Sequence, residues 1–123
     1  MSEEKKLRVV MVEPGKPAYE TEIENTLAGE QRAVGGYIEV IPLGGEKLLV
    51  CNEEGKLNGM HGNRRVENDI IAGTFFIVGE NGGEFRSLTD EEVRESLERF
   101  AEPEDISQEE VENAMSAGFM IFG

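Results

Sequence analysis

A chain of 123 residues, 38% apolar and 31% charged, fits one folded domain around one core and is too rich in core-forming residues for a disordered tract. Its 26 acidic against 12 basic residues give a net charge of −14, which opposes direct binding to nucleic-acid phosphates or anionic membrane surfaces. No run reaches the roughly 18 apolar residues of a membrane span, no leader-like segment opens the sequence, and a single cysteine, Cys51, admits no internal disulfide; a cytoplasmic protein is expected.

The first element, "LRVVMVE" (7–13), is a near-continuous apolar and β-branched run, the pattern of a strand covered on both faces. In "AYETEIENTLAGEQRAVGGY" the residues Tyr19, Ile23, Leu27 and Val34 recur at helical spacing, and Gly35 and Gly36 can end a helix there. "YIEVIPL" and "KLLVCN" flank Gly44 and Gly45 and read as a hairpin, in which Pro42 makes the first an edge strand or ends it. "IIAGTFFIVG" (70–79) reads as one core strand, and "ENGGEFRSL" turns into a last short strand at Phe85.

Two helix starts are spelled alike, "LTDEEV" and "ISQEEV". Thr89 with Glu92, and Ser107 with Glu110, form capping boxes, stapled by Leu88 on Val93 and Ile106 on Val111. The first helix carries an apolar stripe of Val93, Leu97, Phe100 and Ala101; the second carries Val111, Ala114 and Met115, with Gly118 as its expected stop. The tail "AGFMIFG" is expected to dock as a strand or fill the core, and otherwise to offer Phe119 and Phe122 as a self-association or partner-binding patch, with a homodimer as the second expectation.

The order of these pieces resembles a family of small proteins from bacteria, plasmids and phages, the domain of unknown function 3846. The matching stretches are "VVMVEPGKPAYETEIENTL", "VGGYIEVIPL", "VCNEEGKLNGMHGNRR", "DIIAGTFFIVG" and "FRSLTDEEVRESLERF", which cover nearly all of residues 9 to 100. The resemblance brings no established activity. It implies a mobile-element role, in element maintenance or in countering host defence.

Two surfaces carry candidate function. The loop from Asn52 to Arg65 contains Lys56, His61, Arg64 and Arg65, the one local concentration of positive charge beyond the first few residues. With Asn58, Gly59 and Asn63 exposing backbone amides, it offers what a small anion or nucleotide needs. "GKLNG" lacks the Ser or Thr and the upstream glycine of a phosphate-binding loop, however, and the Asn and Gly residues are also ordinary turn formers. The arginines can equally pair with Glu53, Glu54, Glu67 or Asp69 on the surface.

The second surface is acidic. Between Thr89 and Glu112 eleven acids face two arginines, a net of −9 that leaves −5 for the other 99 residues. Capping and helix-dipole effects account for part of this cluster. Asp90, Glu91, Glu95, Glu98 and Glu102 remain as candidates for receiving a protein partner with a basic surface.

A third class is an enzyme with a carboxylate-bound metal drawn from Glu13, Glu20, Glu22 and Glu39, although no spacing requires it. No nucleophile–base pair, metal signature or cofactor motif is present, so no catalytic residue, metal or cofactor is assigned. The reading is one α+β domain over 1–123: a core of about 7–101 with a mixed or mostly antiparallel sheet of about five strands and one helix after the first strand, and two acidic C-terminal helices, with a helical extension over about 102–123. Its expected function is a non-catalytic interaction protein, with the anion-binding loop as the alternative.

Overall fold

The computed structural model describes residues 4–122, with side chains through Met115. Strands β1 (Lys6–Val12), β2 (Tyr19–Glu24), β3 (Ile38–Gly44), β4 (Lys47–Asn52), β7 (Phe75–Asn81) and β8 (Glu84–Arg86) build an antiparallel sheet in the order β2-β1-β7-β4-β3, with β8 on β7. A separate hairpin joins β5 (Gly62–Val66) to β6 (Asp69–Ala72). Helices α1 (Leu27–Val34), α2 (Asp90–Arg99) and α3 (Gln108–Phe122) complete the α+β fold.

The three central strands are apolar on both faces because both faces are covered. Leu7, Val9 and Met11 of β1, Leu48 and Val50 of β4, and Phe76 and Val78 of β7 join Val34 of α1 in one core cluster. The alternate residues Val10, Val12, Leu49, Cys51, Phe75 and Ile77 join Val93 and Phe100 from α2 and its C-cap, with Val66 and Ile71 of the β5–β6 hairpin, in the other. Phe75 and Phe100 meet edge to face at 5.3 Å. Pro42 lies on the outermost strand, β3, where its missing N–H interrupts no inner ladder.

Two boundaries differ from the sequence reading. The helix after the first strand begins only at Leu27, where the Thr26 hydroxyl accepts the Gly29 N–H at 2.9 Å, and it ends at Gly35 with φ 79°. Residues 19–24 instead form β2, paired residue for residue with β1. The spacing of Tyr19, Ile23 and Leu27 misleads because four is an even number: i and i+4 share a face in a strand as well as in a helix. The apolar run 70–79 is likewise two strands. Gly73, at φ 86°, breaks it into β6 and β7.

Both capping boxes form. Thr89 Oγ1 accepts the Glu92 N–H at 3.2 Å while Glu92 Oε1 accepts the Thr89 N–H at 2.9 Å. The reciprocal pair at Ser107 and Glu110 measures 3.1 Å in each direction. Helix α2 packs on the sheet, and α3 packs on the hairpin, where buried Val111 and half-buried Ile106 lie against Gly62. The backbone of α3 runs through Gly118 to Phe122, which corrects both the expected helix stop and the strand read for the tail.

Candidate functional site

The 52–65 segment is built inward more than outward. Asn52 is buried: its side-chain oxygen accepts the Glu54 N–H at 2.8 Å and its amide donates to the Val34 carbonyl at 3.2 Å, tying the loop to the end of α1. The chain then makes a tight helical turn, in which the Asn58 N–H donates to Glu54 O at 2.8 Å and Gly59 takes φ 72°. Asn58, Gly59 and His61 are exposed. Lys56 pairs with Asp69 at 2.6 Å.

Asn63, expected as a turn former, is fully buried at a β-bulge, where Gly62 faces Ala72 and Arg64 already faces Ile71. The extra residue turns two consecutive side chains toward the interior. The Asn63 amide bridges Val12 O at 2.8 Å and Gly73 O at 2.9 Å, fixing the end of β1 to the break between β6 and β7.

Arg64, one of the candidate anion ligands, is 1% exposed, and its guanidinium faces the interior. Its guanidinium donates to Lys16 O at 2.7 Å, Phe100 O at 2.9 Å, and Asn63 Oδ1 at 2.8 Å. Burial pulls its pKa downward, against the pull of Glu104. Its Nε holds no partner. Arg65, on the opposite face, pairs with Glu104 at 3.0 Å and with Glu110. The two arginines and the lysine of the loop are therefore held by the protein's own carbonyls and carboxylates.

The acidic candidates are placed differently. Asp90, Glu91, Glu95, Glu98 and Glu102 are all exposed. Asp90 pairs at 2.6 Å with Arg8, which also holds Glu20 at 2.5 Å; these neighbours raise the Arg8 pKa. Glu95 pairs with Lys47 at 3.1 Å. Helix α2 thus lies across the sheet from β1 to β4, and Glu20 and Glu22 of β2 extend its acidic edge, Glu22 standing opposite Arg8 in the ladder. No local sequence pattern links these carboxylates, since Arg8 and Asp90 are 82 positions apart. Phe119 and Phe122 lie outside the residues with described side chains.

The metal candidates do not converge. Glu20 and Glu22 lie on one edge strand and Glu39 on the other, with three strands between. Glu13 accepts from the Tyr19 hydroxyl and from Lys16, and the carboxylate pushes the Tyr19 hydroxyl up to about 12. Among the described residues no three His, Cys, Asp or Glu side chains form a metal-ligating group. Burial, with Glu39 nearby, pushes the Cys51 thiol up to about 12, so it stays protonated and is a poor nucleophile at neutral pH. Among the described residues no helix is long and apolar enough to cross a membrane.

The family model described as Domain of unknown function (DUF3846) matches residues 7–101. The chain belongs to this family. The DUF3846 match runs from β1 through α2 to the Phe100 carbonyl that Arg64 holds, and α3 follows it. Neither the curated proteins nor the solved structures contain a match to the chain.

Proposed function

We propose that the protein is a non-catalytic binding module of mobile-element type that presents the acidic surface of α2 to a basic protein partner. The observation that carries this reading is the asymmetry of ion pairing. Arg8, Lys47, Lys56 and Arg65 are all held in internal pairs, whereas Glu91, Glu98 and Glu102 are exposed and hold no ion pair among the described residues. On α2, Arg99 pairs with Glu67, and Arg94 holds no ion pair among the described residues. Such a field accelerates encounter with a cationic surface and repels polyanions.

A partner that itself binds nucleic acid has the required basic groove, and mimicry of the phosphate backbone is the pointed form of this proposal. The same pairing pattern argues against the loop as an anion receptor, because a ligand would first have to displace Asp69, Glu104 or Glu110.

The test is retention of bacterial lysate proteins on the immobilised chain, washed at low and high salt, alongside a Glu91→Lys plus Glu98→Lys variant. Neither residue holds an ion pair among the described residues, and the dipole loss from a lysine at position 91 in the first turn of α2 is opposed by the gain from one at position 98 near its C-terminal end, so the melting temperature should change little. A basic nucleic-acid enzyme retained at low salt, released at high salt and lost by the variant supports the reading. Equal retention by the variant overturns it.

A further inference from the structure

A cavity of about 310 Å³ opens between the end of β4, the turn after it, β6 and the first turns of α3. Its walls are apolar: Leu57, Ile70, Ile71 and Met115, with Cys51 among the lining. Leu57 stays 60% exposed on a turn otherwise made of polar residues and glycine. An exposed large aliphatic beside an apolar hollow is the arrangement of a small-molecule pocket, and the volume sits at the small end of the range for such sites.

The polar groups around this hollow are of one sign once internal pairs are removed. Lys56 and Asp69 neutralise each other at 2.6 Å. That leaves Glu39 and Glu53, exposed and without an ion pair among the described residues; Glu39 faces only the Cys51 thiol, at 4.0 Å. Asn52 lines the cavity too, but both ends of its side chain are engaged in holding the loop. A guest therefore meets apolar walls and two uncompensated carboxylates within a protein of net charge −14.

From this juxtaposition we propose that the cavity is a binding site for a small organic cation, an alkyl or aryl group carrying one ammonium. The apolar part is desolvated against Leu57, Ile70 and Met115, and the ammonium stays at the rim, hydrogen-bonded to Glu39 or Glu53. A neutral analogue forgoes the charge-assisted hydrogen bond, and an anionic one is repelled. The site is independent of the α2 surface: Glu91 and Glu98 take no part in it.

The experiment is amide chemical-shift titration of the full-length chain with phenethylamine, 2-phenylethanol and phenylacetate at fixed pH and salt. Saturable shifts at residues 51–57 and 69–72 are expected with phenethylamine, with at least tenfold weaker binding of the alcohol and none of phenylacetate. Glu39→Gln plus Glu53→Gln, both exposed positions, should bring the amine down to the affinity of the alcohol without lowering the melting temperature. Ala114→Phe, which narrows the cavity, should abolish the shifts. Absence of saturable shifts with the amine, equal binding of all three probes, or unchanged amine affinity in the double variant would each overturn the proposal.

Discussion

Arg64 donates to the main-chain oxygen of Phe100 at 2.9 Å, so a side chain of the small hairpin closes the C-terminal end of α2. The same guanidinium nitrogen reaches Lys16 O at 2.7 Å, and the segments after β1 and after α2 are held to β5 through one buried cation. A positive charge at a helix C-terminus also meets the negative end of the helix dipole. This is a structural pin built from a residue that composition alone assigns to the surface.

The adjacent arginines should respond oppositely. Arg64→Ala takes the guanidinium donor from the buried Asn63 side-chain oxygen, leaves the Phe100 carbonyl with the Ala18 N–H alone and removes a large side chain from the interior, for an expected loss of about 3 kcal/mol in denaturant unfolding. Arg64→Lys recovers only part of it, since one ammonium cannot span three acceptors in a planar fork. Arg65→Ala breaks exposed pairs with Glu104 and Glu110 and should leave the unfolding midpoint nearly unchanged. A midpoint lowered as far by Arg65→Ala as by Arg64→Ala would refute the assignment.

Glu92 should dominate the acid limb of stability. Arg86, at 2.8 and 3.0 Å, together with the Thr89 cap, holds its carboxyl down to about 2 from the usual 4.5. A depressed pKa means that the stabilisation is complete above the usual carboxylate range and is lost as pH falls from about 4.5 through about 2. Glu92→Gln should cost about 1–2 kcal/mol at neutral pH and flatten the stability curve over that window. Unfolding free energies measured from pH 7 down to 2 would show whether the two curves converge at the acid end.

Glu30 should work in the other direction. It lies on the sheet-facing side of α1 at 8% exposure, and burial raises its pKa. The protonated form is the one the fold prefers, so stability is present at low pH and declines as pH rises through the folded value. Glu30→Gln is expected to raise stability at pH 7 by about 1 kcal/mol, with the gain vanishing toward acid pH as Glu30 itself becomes neutral. A gain that persists unchanged at low pH would point to helix propensity instead.

Gly62 should be intolerant of a methyl group. A Cβ there would stand 2.6 Å from Ile106 Cγ2 and 3.0 Å from Val111 Cγ2. Gly62→Ala should cost about 1–3 kcal/mol by overpacking. Amide hydrogen exchange should show the loss concentrated over residues 106–115, where α3 leaves the hairpin, and uniform loss across the sheet would argue against this contact.

What was legible in the sequence follows the range over which each signal acts. Capping boxes at Thr89 and Ser107 are local, since four consecutive residues supply both donors and both acceptors. The doubly apolar run of β1 is also self-announcing, because a strand covered on both faces needs no polar alternate. Pro42 limited its strand to an edge or an early end by chemistry alone, and the fold takes the edge. The β5 strand had no such signal: "GNRRV" has one apolar side chain, and its buried polar side chains, Asn63 and Arg64, donate to carbonyls elsewhere in the chain.

The candidate sites divide in the same way. By itself the sequence determined a small acidic α+β protein, its charge concentrated toward the C-terminal end, because net charge, cap chemistry and apolar periodicity are properties of residues and their near neighbours. Only the tertiary structure decided that Arg64 is a buried pin while Arg65 is a surface partner of Glu104, and that α2 shares its acidic edge with β2. The fate of a charged side chain depends on which distant carbonyl or carboxylate the fold brings within 3 Å, and adjacent residues on a strand point to opposite faces.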